Sequence, residues 1–356
     1  MTTSSPSFPT TTRAWILPSS PTGPSSLTIQ TLPLPPLGQN DILVHFRALS
    51  LNYRDISLSK GTYTRPALPN LIQGSDAAGC VLAVGPSVRL FKPGDRIMTT
   101  FWRDWISDGQ DVRSFAGSDL GGNMEGAFRE FGGFALHALV RVPESLDYRE
   151  AAGLPCAALT AWECLYDRGD RHVRAGDTVL VQGTGGVSLF ALQFAKGVGG
   201  RVVATTSSGE KEELLKKMGA DVVINYREVQ DWGVKVKELT GGVGADIVID
   251  VGGASTVSQS LKAARIGTGT ICLIGHLSGG HGEDVPNVWD VRQALCKVRS
   301  VAVSSRAQFE EMVRAIEGWG IKPVVDGKIW KFEEMKEAYE YLADGRHIGK
   351  VVVDVV

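Results

Sequence analysis

Cysteine is scarce in this chain and badly spaced for cross-linking: Cys80, Cys156, Cys164, Cys272 and Cys296 are the five in 356 residues, with no C-x-x-C pair. That excludes a disulfide framework and a cysteine-rich zinc lobe, and leaves most of these thiols as small buried hydrophobes. Charge of either sign is not in excess, with 37 Lys and Arg against 39 Asp and Glu and a net charge of −2. The chain therefore offers no bulk basic surface to nucleic acid or anionic lipid. No apolar run approaches the length needed to cross a bilayer. Residues Met1 to Thr12 are rich in Ser, Thr and Pro and lack both a charged n-region and an apolar h-region. They read as a floppy tail and not as a secretory signal. The expectation is a cytoplasmic protein with a small-molecule partner, of a length that suits two domains.

What is present centres on Asp177-Thr-Val-Leu-Val-Gln-Gly-Thr-Gly-Gly-Val-Ser188. Thr178 to Val181 form a β-branched and aliphatic run, and Gly183, Gly185 and Gly186 allow a tight turn and close approach to a phosphate. Behind them Val187, Phe190, Ala191, Phe194, Ala195 and Val198 recur on one helical face, whose free N-terminal N–H groups would meet an anion. The last glycine of G-x-G-x-x-G is replaced by Ser188. Context compensates, because strands at Arg201 to Thr206, Val222 to Asn225, Asp246 to Val251, Thr270 to Gly275 and Ser300 to Ser305 follow with helix-compatible segments between them. This predicts an α/β doubly wound parallel sheet that binds a dinucleotide.

Before that unit the texture changes to short β-type runs separated by Pro and Gly: Arg13 to Leu17, Leu27 to Leu32, Asp41 to Leu51, Gly79 to Val84 and Ala138 to Val142, with Val88 to Ile97 turning into another. They predict a mostly antiparallel, barrel-like domain. Helices near Gln308 to Gly318 and Phe332 to Leu342 and a closing strand, Gly349 to Val355, follow, and that strand is expected to return to the first domain. The predicted division is a tail over 1–12, a barrel domain over 13–155 and 306–356, and a nucleotide domain over 156–305, with ligand expected in the cleft between them.

The segments Ser50-Leu-Asn-Tyr-Arg-Asp-Ile56, Gln73-Gly-Ser-Asp-Ala-Ala-Gly79, Phe91-Lys-Pro-Gly-Asp-Arg96, Ala152 to Trp162, the glycine turn and Gly345 to Val351 carry a resemblance over nearly the whole chain. The sequence resembles the medium-chain dehydrogenase/reductase superfamily, most closely its zinc-independent, quinone-oxidoreductase-like or zinc-type alcohol dehydrogenase-like branch. The resemblance implies a GroES-like β-barrel beside a Rossmann domain. It also implies that Asn52 stands where zinc enzymes carry a Cys ligand and that Gly74-Ser75-Asp76 replaces their Gly-His-Glu. Only Cys156 matches a ligand position, and Thr99 to Gly126, where a structural zinc lobe would lie, contains no Cys. No zinc of either kind is expected.

No carboxylate ends the second nucleotide-domain strand at Thr206, whereas Ser207, Ser208 and Lys211 stand ready to donate to a 2′-phosphate. NADPH is favoured over NADH, and the resemblance adds Tyr226 to the phosphate set. Further coenzyme contacts are assigned by position at strand ends and nearby: Thr160, Gly252, Ile274, Gly275, His276, Val303 and Ser304. His276 and Lys350 are candidates for ribose or carboxamide contacts.

Without zinc, hydrogen-bond donors must polarise the substrate oxygen. Asn52 and Tyr53 are the first candidates, Tyr53 also as proton donor; the alternative for Tyr53 is a packed aromatic. Arg54, Asp55 and Asp76 read as a structural salt bridge across the old metal site. Tyr63, Phe101, Trp102 and Trp105 either line an apolar substrate pocket or cover the barrel core. The expected activity is zinc-free, NADPH-dependent reduction of an enone, quinone or carbonyl. Alternatives are a metal-free secondary alcohol dehydrogenase and a nucleotide-binding protein without redox activity. The resemblance places a homodimer contact near Thr270 to Leu277 and Gly280 to Val291.

Overall fold

The computed structural model describes residues 8–65, 67–166, 171–275 and 285–356. They fall into two compact units, one of residues up to Cys156 together with Ser304–Val356, the other Ala157–Val303.

In the first unit, runs of alternating and β-branched residues give β1 (Thr11–Leu17), β2 (Thr28–Pro33), β3 (Asp41–Ser50), β4 (Leu71–Ile72), β5 (Asp76–Val84), β6 (Arg96–Thr99), β7 (Phe131–Ala135) and β8 (Leu139–Arg141). Two short helices belong to it, α1 (Tyr53–Ser59) and α2 (Tyr148–Ala152). β3 is the hub: it pairs antiparallel with β5 and with β7, while β5 continues through β6 to β8. β1 forms a smaller sheet with β2 and β4. The core gathers Trp15, Phe46, Leu49, Ile97, Phe128 and Tyr339, all buried. Gly74 sits at φ +82, where a Cβ would lie 2.1 Å from the Phe128 ring, so only glycine passes between β4 and β5.

The second unit opens with α3 (Leu159–Tyr166) and then alternates β9 (Thr178–Gln182), α4 (Gly186–Gly197), β10 (Arg201–Thr206), α5 (Gly209–Lys217), β11 (Val222–Asn225), α6 (Trp232–Leu239), β12 (Ile247–Asp250), α7 (Val257–Ala263), β13 (Thr270–Leu273), α8 (Val288–Ala294) and β14 (Lys297–Ser300). All its pairings are parallel, in the order β11-β10-β9-β12-β13-β14. This is a doubly wound sheet whose strand order reverses between β9 and β12, the crevice where such sheets take ligands. The central strands are apolar on both faces because helices cover both; every residue of β9 is buried.

The chain then returns to the first unit through α9 (Arg306–Trp319), β15 (Val325–Lys331), α10 (Met335–Ala343) and β16 (Lys350–Asp354). β16 pairs antiparallel with β3 and parallel with β15, which puts the expected closing strand in the barrel sheet.

Two expectations shift. The strand placed at Ser300 to Ser305 is instead Lys297–Ser300. Its neighbour β13 ends opposite Ser300, and after Val301 donates to the Leu273 carbonyl no ladder remains to extend it. The tail reading also runs too far, since Thr11 and Thr12 already pair with β2.

Candidate active site

The register of three strands in the first unit builds one buried polar cluster. Ser50 lies opposite both Asp76 on β5 and Val352 on β16. Asn52, two residues past Ser50, therefore meets Lys350, which also faces Asp76. Gly349 makes this approach possible, because at φ +69 a Cβ would sit 2.1 Å from the Val324 carbonyl oxygen.

Lys350 is buried, and its Nζ donates to the Leu51 carbonyl at 2.8 Å and to Asn52 Oδ1 at 2.6 Å, with Asp76 Oδ2 at 3.6 Å. The ammonium expected to reach the coenzyme thus spends its donors inside its own unit, a correction to the sequence reading. Asp76 accepts from Ser75 Oγ at 2.7 Å and from the Cys156 N–H at 3.2 Å. Cys156 itself lies in a wide π-helical turn, Leu154–Ala158. Burial first, then the Asp76 carboxylate, push its thiol up to about 12.

Asn52 occupies the N-cap position of α1, yet its carboxamide does not cap the helix; the Asp55 N–H takes the Asn52 carbonyl instead. Asn52 Nδ2 is buried with no partner. Beside it Tyr53 is 41% exposed.

Arg54 does not bridge Asp55 or Asp76, as the expected set of three would have it. Arg54 Nη2 pairs with Asp119 Oδ2 at 2.9 Å, deep in the unit, and Asp119 Oδ1 accepts from Asn123. The Arg54 guanidinium faces the Phe101 ring at 4.3 Å and the Tyr63 ring at 5.6 Å. Trp102 meets Phe101 and Phe115 edge-on, and Trp105 stacks on Phe115 at 4.4 Å. Phe101 and Trp102 are buried in this packing, whereas Tyr63 also lines a cavity of about 190 Å³ with Leu17, Leu58 and Leu68.

Asp55 accepts from the Asn52 N–H at 2.8 Å while its Oδ1 is buried without a partner. Burial pushes its carboxyl up to about 6, against the opposing pull of Arg54. The folded value lies above that of the unfolded chain, so the stability it contributes is complete below about pH 4 and is lost as pH rises through about 6. Asp55→Asn, which keeps the acceptor, is expected to match the wild type near pH 4 and exceed it above pH 7 by on the order of 2–3 kcal/mol. Denaturant unfolding at stepped pH measures this; a pH-independent difference contradicts it.

In the second unit, β9 ends at Gln182 and the chain turns through Gly183, at φ +75, and Gly185 into α4. A Cβ on either glycine would meet nothing within 4 Å, so the turn leaves room for a phosphate against the Gly186 and Val187 end of the helix. Ser188, where the motif prefers glycine, buries its Oγ on the Gln182 carbonyl at 2.6 Å. Gln182 also accepts from the Gly252 N–H, and Asp250 holds the Gly252 and Gly253 N–H groups, fixing the loop after β12. The Tyr226 N–H donates to the Thr206 carbonyl at 3.0 Å, bringing Tyr226, 42% exposed, beside the Thr206–Ser207–Ser208 strand end. Ser208 Oγ caps α5 by accepting from the Lys211 N–H. Thr160 is buried on α3, Ile274 and Gly275 follow β13, and Val303 and Ser304 lie beyond β14. His276 falls outside the described residues.

Sequence reasoning missed Asp119 and the placing of Lys350. A lone lysine heading the run Val351-Val-Val353 was the available signal for the second; Asp119 had none.

A doubly wound parallel sheet with a glycine turn at its switch point, and a mostly antiparallel barrel unit in the same chain, define the class of fold that oxidoreductases use. Residues 38–144 match the alcohol dehydrogenase GroES-like domain and residues 186–318 match the zinc-binding dehydrogenase domain. The zinc-type alcohol dehydrogenase-like protein C1773.06c of Schizosaccharomyces pombe is 40% identical, over 88% of this chain and 91% of its own length. The quinone oxidoreductase of Pongo abelii is 30% identical over 87% and 88%. Among solved structures, a protein described as an alcohol dehydrogenase from Sinorhizobium meliloti 1021 has a TM-score of 0.88 at 38% identity, covering 98% of this chain and 100% of that one. An NAD-dependent alcohol dehydrogenase has 0.85 at 34%, covering 97% and 100%. A mycobacterial protein complexed with NADPH has 0.79 at 29%, covering 97% and 100%. The chain belongs to the medium-chain dehydrogenase/reductase superfamily and is an oxidoreductase of that family.

Zinc is named by one of the matched domains. Among the described residues no group of three or more His, Cys, Asp or Glu side chains could hold a metal ion. At the positions matching the ligands, the cluster offers an amide bound to an ammonium and a single thiol, short of the three protein ligands of a catalytic zinc site, a donor set that does not fit zinc.

Proposed function

We propose that this protein is a zinc-independent, NADPH-dependent reductase of an enone, quinone or carbonyl in a mostly apolar small molecule. The observation that carries it is Asn52: a buried carboxamide donor without a partner, next to an exposed Tyr53 hydroxyl. When bound, NADPH supplies the hydride. Asn52 Nδ2 donates to the substrate oxygen as negative charge grows on it, and Tyr53 delivers the proton. No metal is needed for that polarisation, and Lys350 rather than a metal balances Asp76.

Gly183, Gly185, Gly186 and Val187 hold the pyrophosphate, with Thr160, Gly252, Ile274, Gly275, Val303 and Ser304 along the rest of the coenzyme. The neighbours divide between NADPH and NAD, so the choice rests on Thr206, Ser207, Ser208, Lys211 and Tyr226, a strand end without a carboxylate. Lys211→Ala is expected to raise KM for NADPH by about tenfold or more and to leave NADH almost unaffected, since a charge-assisted contact contributes roughly 1.5–3 kcal/mol. Equal losses with both coenzymes contradict it.

Purified protein should oxidise NADPH with enones or quinones in the presence of a chelator. Activity lost to the chelator and restored by zinc overturns the metal-free reading. The alcohol dehydrogenase neighbours favour secondary alcohol oxidation as a second reading, which the preferred direction of turnover decides. A homodimer is supported by β14 at the sheet edge and by Val288 and Trp289, 82% and 71% exposed on α8. Sedimentation should return twice the chain mass, and Trp289→Asp should shift it toward one.

A further inference from the structure

The Lys350 ammonium is an unusual neighbour for a substrate-binding amide. It is 3% exposed, it heads an apolar strand, and its stem passes Gly153, where a Cβ would lie 3.1 Å from Lys350 Cγ. An ammonium has three donors and no acceptor. Those of Lys350 point to the Leu51 carbonyl, to Asn52 Oδ1 and toward Asp76 Oδ2. None is left over for a substrate.

The consequence falls on Asn52. A carboxamide has an oxygen and an NH2 at its two ends, and rotation by half a turn exchanges a donor for an acceptor. Because Lys350 only donates, it accepts one orientation alone: Oδ1 toward the ammonium, Nδ2 away from it. Asn52 Nδ2 is the end without a partner. The positive charge on Oδ1 also draws electron density from the amide nitrogen and strengthens its N–H as a donor.

We propose that Lys350 is the positioning residue of the reductive site, locking the Asn52 carboxamide with its NH2 toward the substrate oxygen and polarising it as the hydride arrives. Asp76 completes the device: fixed by Ser75 Oγ and the Cys156 N–H, it provides the counter-charge that lets the ammonium stay in the barrel. The arrangement gives a carbonyl oxygen or a developing enolate a stronger partner than a freely turning amide and refuses a ligand that must donate at this point. Substrates are therefore those presenting a bare acceptor oxygen: ketones, enones and quinones.

This inference rests on the assignment of Asn52 as the oxygen-binding donor, so the experiment separates the two. Lys350→Met alone leaves Asp76 as an uncompensated buried carboxylate, a cost to folding unrelated to the reaction. The deciding variant is Lys350→Met/Asp76→Asn, which removes both charges together, assayed beside Asn52→Asp. The expected result is a folded double variant with a coenzyme Kd within about twofold of wild type and kcat lowered about 10- to 100-fold, the loss typical of removing an outer partner of a site residue. The primary isotope effect with 4-deuterated NADPH should rise as the chemical step slows. A double variant that turns over at the wild-type rate while Asn52→Asp is impaired overturns the role of Lys350 alone. An Asn52→Asp enzyme with undiminished kcat overturns the assignment of Asn52 itself, and Lys350 with it. If the double variant does not fold, Lys350→Gln/Asp76→Asn, whose glutamine amide can still donate to Asn52 Oδ1 without either charge, should show kcat lowered several-fold; turnover equal to wild type overturns the polarising part.

Discussion

Asn52→Asp is expected to fold, to bind coenzyme and to lose about 10²- to 10³-fold in kcat, the range found when one oxyanion donor is removed. The substitution is nearly isosteric and preserves the acceptor that Lys350 Nζ uses at 2.6 Å. A carboxylate there pairs with the ammonium at least as well as the amide does, so the barrel is not destabilised. The atom at the other end of the side chain, however, changes from a donor to a negatively charged acceptor. It repels the oxygen on which charge collects during hydride transfer, and the penalty falls on the transition state more than on substrate binding. Stopped-flow NADPH oxidation and coenzyme titration measure the two quantities separately. A kcat within tenfold of wild type removes Asn52 from the oxygen-binding role.

The second large effect is on stability. Asp119→Ala strands the Arg54 guanidinium, which is buried and has Asp119 as its ion-pair partner at 2.9 Å. Breaking a buried pair from one side costs about 3–5 kcal/mol. For a unit of this size that lowers the melting temperature by roughly 10 °C. The rings of Phe101 and Tyr63 against the guanidinium offset only part of that loss. Replacing both partners by apolar residues, Arg54→Met with Asp119→Leu, is expected to return most of the stability, because neither charge then needs solvation. Calorimetry on the two variants decides. A single variant as stable as wild type shows that solvent reaches Arg54.

The parallel sheet was legible residue by residue because its signals are local. A run such as Thr178-Val-Leu-Val181 followed by spaced glycines and a 3.6-period apolar face specifies strand, turn and helix without reference to distant chain. Arg201–Thr206 and Val222–Asn225 emerge with the bounds expected of them. The edge strand was harder: Lys297–Ser300 is half solvated, so its residues carry little apolar signal, and the more apolar stretch after it attracted the assignment. β15 was not anticipated, since Val325-Asp-Gly-Lys-Ile-Trp-Lys331 mixes charge and glycine into a strand that pairs with β16.

The candidate site divides the same way. Asn52, Tyr53 and Cys156 could be singled out from the residues standing at matching family positions, but their partners could not. Lys350 is almost 300 residues from Asn52 in sequence, separated by 298 positions, and reaches it only because β16 returns antiparallel to β3. Arg54 stands next to Asp55 in sequence but pairs with Asp119, 65 positions away.

Sequence alone determined that this chain holds a doubly wound nucleotide unit, an antiparallel barrel and no cysteine framework, because periodicity, glycine placement and residue counts act over short spans. Tertiary structure alone decided which buried charge meets which: Lys350 with Asn52 and Asp76, Arg54 with Asp119. Ion pairing depends on strand register between distant segments, and a register is a property of the assembled sheet.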